Sequence, residues 1–220
     1  MLVLPRVDKE GKCYLSYSQH SKWKKSKKDY IKSYFFGEKF TGNAYTDFGS
    51  LIGEALEHND FSAFTKKEQT LLKRVTRLDE FERTIKLEMD GFYVLGYIDT
   101  NDLKIGLEKD TVETLVDYKT GDMTKVDVYE ADDYDQLAIY AAAIEQEQGV
   151  LPKQAYVELI ERVGNAFRGE DLALGNEVVQ IPQDITPKRI KAVKADVQKV
   201  ATDISNYYRV FNLINKEIDG

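Results

Sequence analysis

The segment LVDYKTGD, from Leu115 to Asp122, ends an apolar run with an acid and a lysine that lie two residues apart. Side chains alternate between the two faces of a strand, so Asp117 and Lys119 are expected to point the same way, beside a turn at Gly121. The pair is either a surface ion pair at the end of a strand or a place where a metal ion and a nucleophile meet.

A second acid, Asp99, ends the strand-like segment LGYID, 18 residues before Asp117. If the two strands are neighbours, both carboxylates lie at one end of a sheet with Lys119 between them, and the carbonyl of Tyr118 points to the same place. Such oxygen ligands suit Mg²⁺ or Mn²⁺, and a lysine beside the ion would hold a water or stabilise charge on a phosphate. The alternative is that Asp99 caps a turn and that Asp117 and Lys119 form a surface pair.

The size and composition of the chain are those of one globular domain, which we expect to span residues 1–220. The formal net charge of −7 argues, taken alone, against a protein that binds nucleic acid. Residues 21–36, however, carry six lysines against the single acid Asp29. That run fits either phosphate binding or a solvated helix face.

The single cysteine, Cys13, excludes an internal disulfide and any cysteine-ligated zinc or iron–sulfur site. The apolar stretches are too short to span a bilayer, and the N-terminal residues lack the apolar region of a signal peptide. We therefore expect a cytoplasmic protein with no membrane association.

Helical and strand-like patterns alternate along the chain and predict an α/β fold, with a central mixed β-sheet flanked by helices. Asp90-Gly91 separates two β-rich runs and predicts a hairpin. Thr65 and Glu68 form a capping box that begins a helix predicted over TKKEQTLLKRVTRL, and Thr186-Pro187 begins a last helix that runs to about Glu217. The other predicted helices run from Ser16 or Ser18 to about Phe36, over FGSLIGEALEHND and over 131–149, and strands are predicted at ETLVDYKTG, KQAYVELIERV and EVVQIP.

Three segments in order, GYID, LVDYKTG and YDQLAIYAAAI, resemble the RecB-type branch of the PD-(D/E)XK nuclease superfamily. That branch has a G-x-x-D strand, a (D/E)-x-K strand and a helix with Q-x-x-x-Y. Upstream, LSYSQHSKWKKSKKDYIKSY resembles its opening S-x-S element and aromatic helix, and FGSLIGEALE resembles the helix with the first active-site residue. The resemblance runs from about Leu15 to Ala143 and implies a restriction-endonuclease-like core.

The resemblance implies a role for each matching residue. Asp99 and Asp117 would bind the metal ion, Lys119 would be the catalytic lysine, and Gln136 and Tyr140 would position the substrate or the water. Read without the resemblance, Gln136 is as well explained as an exposed amide and Tyr140 as a core tyrosine.

Two features depart from the family pattern. Many relatives have G-x-x-x-H in the second helix, where the histidine binds metal, but the position four after Gly49 is Gly53. Glu57, one turn further on, is our first substitute and Glu54 our second, while His58 is expected to be exposed at the helix end. The iron–sulfur cysteines of some relatives are missing.

The function that the resemblance implies is a Mg²⁺- or Mn²⁺-dependent deoxyribonuclease, expected to be a sequence-nonspecific exonuclease in DNA recombination or processing. Chains of this kind are familiar in phages and mobile elements. The expected partner is DNA, with a helicase or a single-strand annealing protein as a further candidate. The alternative is a catalytically impaired nuclease-like module that binds DNA or protein.

One cluster stays outside the resemblance. Glu161, Arg162, Arg168 and Glu170 gather near two glycines, Gly164 and Gly169. The segment is either a loop at the edge of the substrate groove or a plain exposed hairpin.

Overall fold

The computed structural model describes residues 2–39, 41–106, 109–130 and 134–218 of the chain. Within these ranges, the chain forms a mixed six-stranded sheet with helices packed on it, which confirms the predicted α/β class. The strands are β1 Tyr14–Ser16, β2 Glu80–Met89, β3 Phe92–Asn101, β4 Thr114–Gly121, β5 Gln154–Val163 and β6 Ala173–Pro182. The helices are α1 Tyr17–Lys25, α2 Lys27–Tyr34, α3 Ala44–His58, α4 Lys66–Leu72, α5 Val126–Glu130, α6 Gln136–Gln148 and α7 Pro187–Ile218.

The strand β3 organises the sheet because three strands pair with it. It pairs antiparallel with β2 from Phe92 to Asn101, apart from a break at Asp99. The predicted turn at Asp90-Gly91 joins the two strands, and Gly91 has the positive φ of 82° that such a turn requires. The short strand β1 lies parallel to its first half, and β4 pairs antiparallel with its last residues. Beyond β4 follow β5, parallel, and β6, antiparallel.

The strands β3 and β4 form a fork instead of a continuous ladder. They pair only at Thr100–Val116 and Asn101–Leu115. Beyond these pairs, toward Asp99 and Asp117, no ladder pair joins them within the described residues. The backbone between the two strands is therefore open to side chains from neighbouring helices.

The helix α6 lies at the centre of the larger core, and its residues from Gln136 to Ile144 are all buried. Four alanines in this stretch let the helix approach the sheet closely. On the opposite face, α3 and α4 form a second apolar cluster with the sheet, centred on Ile52, Leu56, Leu72 and Ile160. Burial of these side chains is the main favourable term that fixes both helices on the sheet.

Four of the predicted helices have wrong boundaries. The helix predicted over FGSLIGEALEHND begins four residues earlier, at Ala44, where Asn43 is its N-cap. The first predicted helix is two helices, α1 and α2, because Ser26 takes an extended conformation with φ −158° and its hydroxyl accepts from the Asp29 N–H as a new N-cap. The helix that starts at Thr65 ends at Leu72. The helix predicted over 131–149 begins at Gln136, and residues 131–133 lie outside the described ranges.

The helix after Thr186 has the predicted extent, although it is exceptionally long at 32 residues. No helix among the described residues combines the length and the apolar character that crossing a membrane requires.

A glycine on β3 allows α6 to pack against the sheet. A Cβ atom built on Gly96 would lie 2.5 Å from Cε1 of Tyr140 and 3.0 Å from Cδ1 of Ile85. We predict that Gly96→Ala lowers the free energy of unfolding by about 1–3 kcal/mol, because the side chain of Tyr140 or the backbone of β3 must move to make room for the added methyl group. Urea denaturation followed by circular dichroism measures the change.

The matched control is Gly53→Ala, since a Cβ on Gly53 meets nothing within 4 Å. We expect this helical substitution to leave stability unchanged or to raise it by up to about 1 kcal/mol. Equal losses in the two variants would contradict the close packing of Tyr140 against Gly96.

Candidate active site

The two predicted metal-binding acids lie at the fork between β3 and β4. Asp99 directly precedes Thr100 and Asp117 directly follows Val116, the pair at which the ladder between the two strands ends. Oδ2 of Asp99 accepts a hydrogen bond of 2.5 Å from the N–H of Tyr118. The prediction that they lie at one end of the sheet is wrong in detail. Both strands continue past the acids, β4 as far as Gly121, so the site is a fork within the sheet.

Asp117 is held from several sides and is only 1% exposed. Its Oδ1 accepts a 2.6 Å hydrogen bond from Nε2 of Gln136, and its Oδ2 forms an ion pair with the ammonium group of Lys119. The surface-pair reading of Asp117 and Lys119 is therefore wrong. A carboxylate with this many partners has one fixed orientation.

The first turn of α6 supplies the groups that hold Asp117. Nε2 of Gln136 also lies 3.1 Å from the hydroxyl of Tyr140, and both side chains are buried, at 9% and 5% exposed. The reading of Gln136 as an exposed amide is thus wrong. Tyr134 was not predicted: its hydroxyl lies 3.2 Å from Oδ2 of Asp117 and 3.0 Å from Oε1 of Gln136. Its place two residues before Gln136 is the only signal in the sequence.

The electrostatics of the fork favour a bound positive charge. Burial, together with the neighbouring charge of Asp117, raises the pKa of Asp99 to about 7. Burial alone would lower the pKa of Lys119, but the charges of Asp117 and Asp99 outweigh it and raise this pKa. Lys119 thus supplies one positive charge beside two carboxylates, and the site can accept more.

The substitutes proposed for the missing histidine both reach the site. Glu54 and Glu57 line a cavity of about 640 Å³ together with Asp99, Asp117 and Lys119. Glu57 is half-buried and Glu54 is exposed. Tyr118 and Gly53 border the same cavity, so the helix position where many relatives have histidine does face the acids. His58 is exposed at the end of α3, as predicted.

A further acid, Glu82, borders this cavity and was missed in the sequence. The ladder between β2 and β3 pairs Phe81 with Thr100 and Arg83 with Ile98, so Glu82 falls opposite Asp99. Its φ of 50° is rare for a non-glycine residue, and the ladder between β2 and β3 lacks a pair at this position. Burial and the nearby charge of Glu57 raise the pKa of Glu82. Counting residues back from the Asp90-Gly91 turn would have placed it there.

A second cluster of potential metal ligands lies outside the cavity. Among the described residues, His20, Asp135 and Asp196 bring ligand atoms within 4.8 Å of one another. The ammonium group of Lys24 already lies 3.1 Å from Asp135 and 2.9 Å from Asp196, and Arg189 binds Asp135 at 2.7 Å. We interpret the cluster as an ion-pair network that joins α1 and α7 to the N-cap of α6.

Several lysines of α1, α2 and α7 are paired with acids, and others border a cavity. Lys24 and Lys27 form ion pairs with acids of α7, and Lys194 lies 3.6 Å from Glu145. Lys22, which donates to Oγ of Ser33 at 3.1 Å, and Lys25 border a second cavity of about 650 Å³. Gln136 borders this cavity as well as the one around Asp99 and Asp117, so the two cavities are adjacent.

The raised pKa of Asp99 leads to a prediction about stability. An acid whose pKa rises on folding destabilises the protein as pH increases from about 4, its value in the unfolded chain, through about 7. In EDTA at pH 8, Asp99→Asn should therefore raise the free energy of unfolding by about 1–2 kcal/mol, while its amide oxygen still accepts from Tyr118. At pH 5 the gain should shrink. Urea titrations at both pH values measure it.

The exposed acid Glu54 provides the control, since Glu54→Gln should change stability little at either pH. A loss of stability in Asp99→Asn at pH 8 would contradict the proposed repulsion between the two carboxylates.

Comparison with known proteins gives the family of the chain. The family profile described as PD-(D/E)XK nuclease superfamily matches residues 53–212, which include every acid of the fork. No curated protein matches the chain. A crystal structure of a proposed exonuclease from Eubacterium rectale shares the fold, with a TM-score of 0.52 and 11% identity over 94% of this chain and 87% of that one. Because the profile covers well over half of the sequence, the chain belongs to the PD-(D/E)XK nuclease superfamily.

Proposed function

We propose that the protein is a metal-dependent deoxyribonuclease whose active site is the fork between β3 and β4. The observation that carries the proposal is the meeting of Asp99, Asp117 and Lys119 in one open cavity, with Gln136 bonded to Asp117. Family membership supports phosphodiester hydrolysis as the reaction.

The residues around the cavity fit a hard divalent cation such as Mg²⁺ or Mn²⁺. Asp99 and Asp117 would hold the ion together with the carbonyl oxygen of Tyr118. From α3, Glu57 is the preferred further ligand and Glu54 the second choice. Burial and, after it, the charge of Asp117 raise the pKa of Asp99, and a bound cation would favour the ionised carboxylate against both. When bound, the ion would activate water and neutralise charge on the scissile phosphate.

The side chains of the chain itself have separate tasks in this proposal. Lys119 stabilises the negative charge that develops on the phosphate. Gln136 fixes the orientation of Asp117, and the hydroxyls of Tyr134 and Tyr140 fix Gln136 in turn. Such positioning matters because a small displacement of a reacting group costs much of the rate.

The substrate that we propose is DNA, cut without regard to sequence. Lys22 and Lys25, beside the adjacent cavity, suit contacts with phosphates, which position a strand without reading its bases. Exonuclease action in DNA recombination or processing is the preferred role. It rests on the resemblance to the RecB-type branch.

A catalytically impaired binding module is the second candidate. Gly53 occupies the place of a metal-binding histidine. The ammonium group of Lys119 pairs directly with Asp117 and so takes a place that a metal ion would occupy. Glu57 offers a replacement ligand from the same helix. Cleavage therefore separates the two candidates.

The test incubates the protein with linear, circular and single-stranded DNA in Mg²⁺, in Mn²⁺ and in EDTA. We expect cleavage that requires the metal, and we expect Lys119→Ala to reduce the rate at least about 100-fold because a charge on the transition state loses its partner. Loss of linear DNA alone indicates an exonuclease, whereas cutting of circles indicates an endonuclease.

The control is Lys153→Ala, which removes a lysine that is 72% exposed and paired with Glu113 away from the cavity. Its rate should equal that of the wild type. Absence of metal-dependent cleavage on every form of DNA would refute the nuclease and leave the binding module.

A further inference from the structure

The hairpin tip between β5 and β6 is a rigid structure with one exposed aromatic ring. A 3-10 turn, Ala166–Arg168, lies at this tip, and Gly164 and Gly169 take the positive φ values that the reversal requires. At Gly164 a Cβ would lie 2.0 Å from a backbone oxygen, so no other residue fits there. The side chain of Phe167, on this turn, is 84% exposed.

The tip is tied to the first turn of α3 through Tyr45. The hydroxyl of Tyr45 donates to Oδ1 of Asn165 at 3.2 Å and accepts from the N–H of Ala166 at 3.1 Å. Oδ1 of Asn165 also accepts from the N–H of Phe167 at 3.1 Å. The backbone that carries the exposed ring is therefore fixed.

Three planar groups, which we call the aromatic cluster, lie in contact at this place, with the rings of Tyr45 and Phe167 tilted by 45°. The guanidinium carbon of Arg162 lies 4.3 Å from the ring centre of Tyr45, and the rings of Tyr45 and Phe167 lie 5.3 Å apart. Arg162 and Tyr45 are half-buried and Phe167 is the outermost member. A supported ring of this kind offers a planar face to another aromatic group.

The aromatic cluster lies at the end of the catalytic cavity. Residues of α3 at four-residue steps, Tyr45, Gly49, Gly53 and Glu57, follow one side of the helix, and the last three border the cavity. Thr46, next to Tyr45, borders it too. From Gly53 to Tyr45 the helix rises about 12 Å. The two glycines leave the path along the helix free of large side chains.

The charges of the tip favour stacking over phosphate binding. Arg162 and Arg168 are balanced by Glu170 and Asp171 on the same hairpin. Since charges of both signs lie together, the exposed ring is the group that distinguishes this surface.

We propose that Phe167 is a stacking platform for an unpaired base of a nucleic-acid strand that runs along α3 to or from the cavity. The inference rests on the proposed function and adds a substrate class, a strand with unpaired bases near the site of cleavage. It also assigns the hairpin to the edge of the substrate groove. Aromatic platforms bind single strands without preference for sequence because every base has a π-face.

The test uses short single-stranded DNA with 2-aminopurine at successive positions, in EDTA so that no strand is cut. We expect the wild type to quench the fluorescence strongly at one position. Phe167→Ala should abolish this quenching and weaken binding about tenfold, which is about 1.4 kcal/mol. Phe167→Trp should restore both.

Two controls isolate stacking from general loss of apolar surface. Phe36→Ala removes another exposed phenylalanine, 66% exposed, which packs on Phe211 of α7, and should behave as the wild type. Phe167→Leu keeps an apolar side chain but no ring, and should behave as Phe167→Ala.

The outcomes separate the inference from the proposed function. If the wild type cleaves DNA and Phe167→Ala quenches and binds equally well, the platform is refuted and the nuclease stands. Quenching of the 2-aminopurine fluorescence by Phe167→Leu to the same extent as by the wild type would also refute stacking. A wild type that neither binds nor cleaves DNA refutes both.

Discussion

The structure depends on the short pairing between β3 and β4, which join through only two residue pairs. A longer ladder would have used the backbone of Tyr118 to bind β3, whereas here its N–H binds the carboxylate of Asp99. The fork thus places two acids side by side in a partly buried cavity. Burial and the neighbouring charge of Asp117 together raise the pKa of Asp99, and both make the site favourable for a positive charge.

The helix α6 converts this fork into a defined site. Gly96 has no side chain, so Tyr140 packs directly on β3, and its hydroxyl meets Gln136, which holds Asp117. The N-cap residue of the helix, Asp135, is anchored by Lys24 and Arg189. A buried polar network is costly unless all of its members are satisfied, and here each member supports the next.

Local patterns in the sequence predicted the elements that local interactions determine. The hairpin at Asp90-Gly91, the capping box at Thr65 and the long last helix depend on neighbouring residues and appear where predicted. The order of the G-x-x-D, D-x-K and Q-x-x-x-Y segments located the fork. Features that depend on distant contacts were missed. The ion-pair network around Lys24 and the contact between the rings of Tyr45 and Phe167 join residues far apart in sequence, and the positive φ of Glu82 was missed as well. The break at Ser26 was missed because the lysine-rich pattern is helical on both sides of it.

Two clusters of potential metal ligands compete, the acids of the fork and the group of His20, Asp135 and Asp196. The measurement that decides between them is Mn²⁺ binding, monitored by calorimetry or electron paramagnetic resonance. The fork account predicts that the wild type binds Mn²⁺, that Asp99→Asn binds it at least tenfold more weakly, about 1.4 kcal/mol, and that Asp196→Asn binds it as the wild type does. Thermal scans confirm that both variants are folded. Binding that survives in Asp99→Asn and disappears in Asp196→Asn would contradict the account and move the metal to the cluster of His20, Asp135 and Asp196.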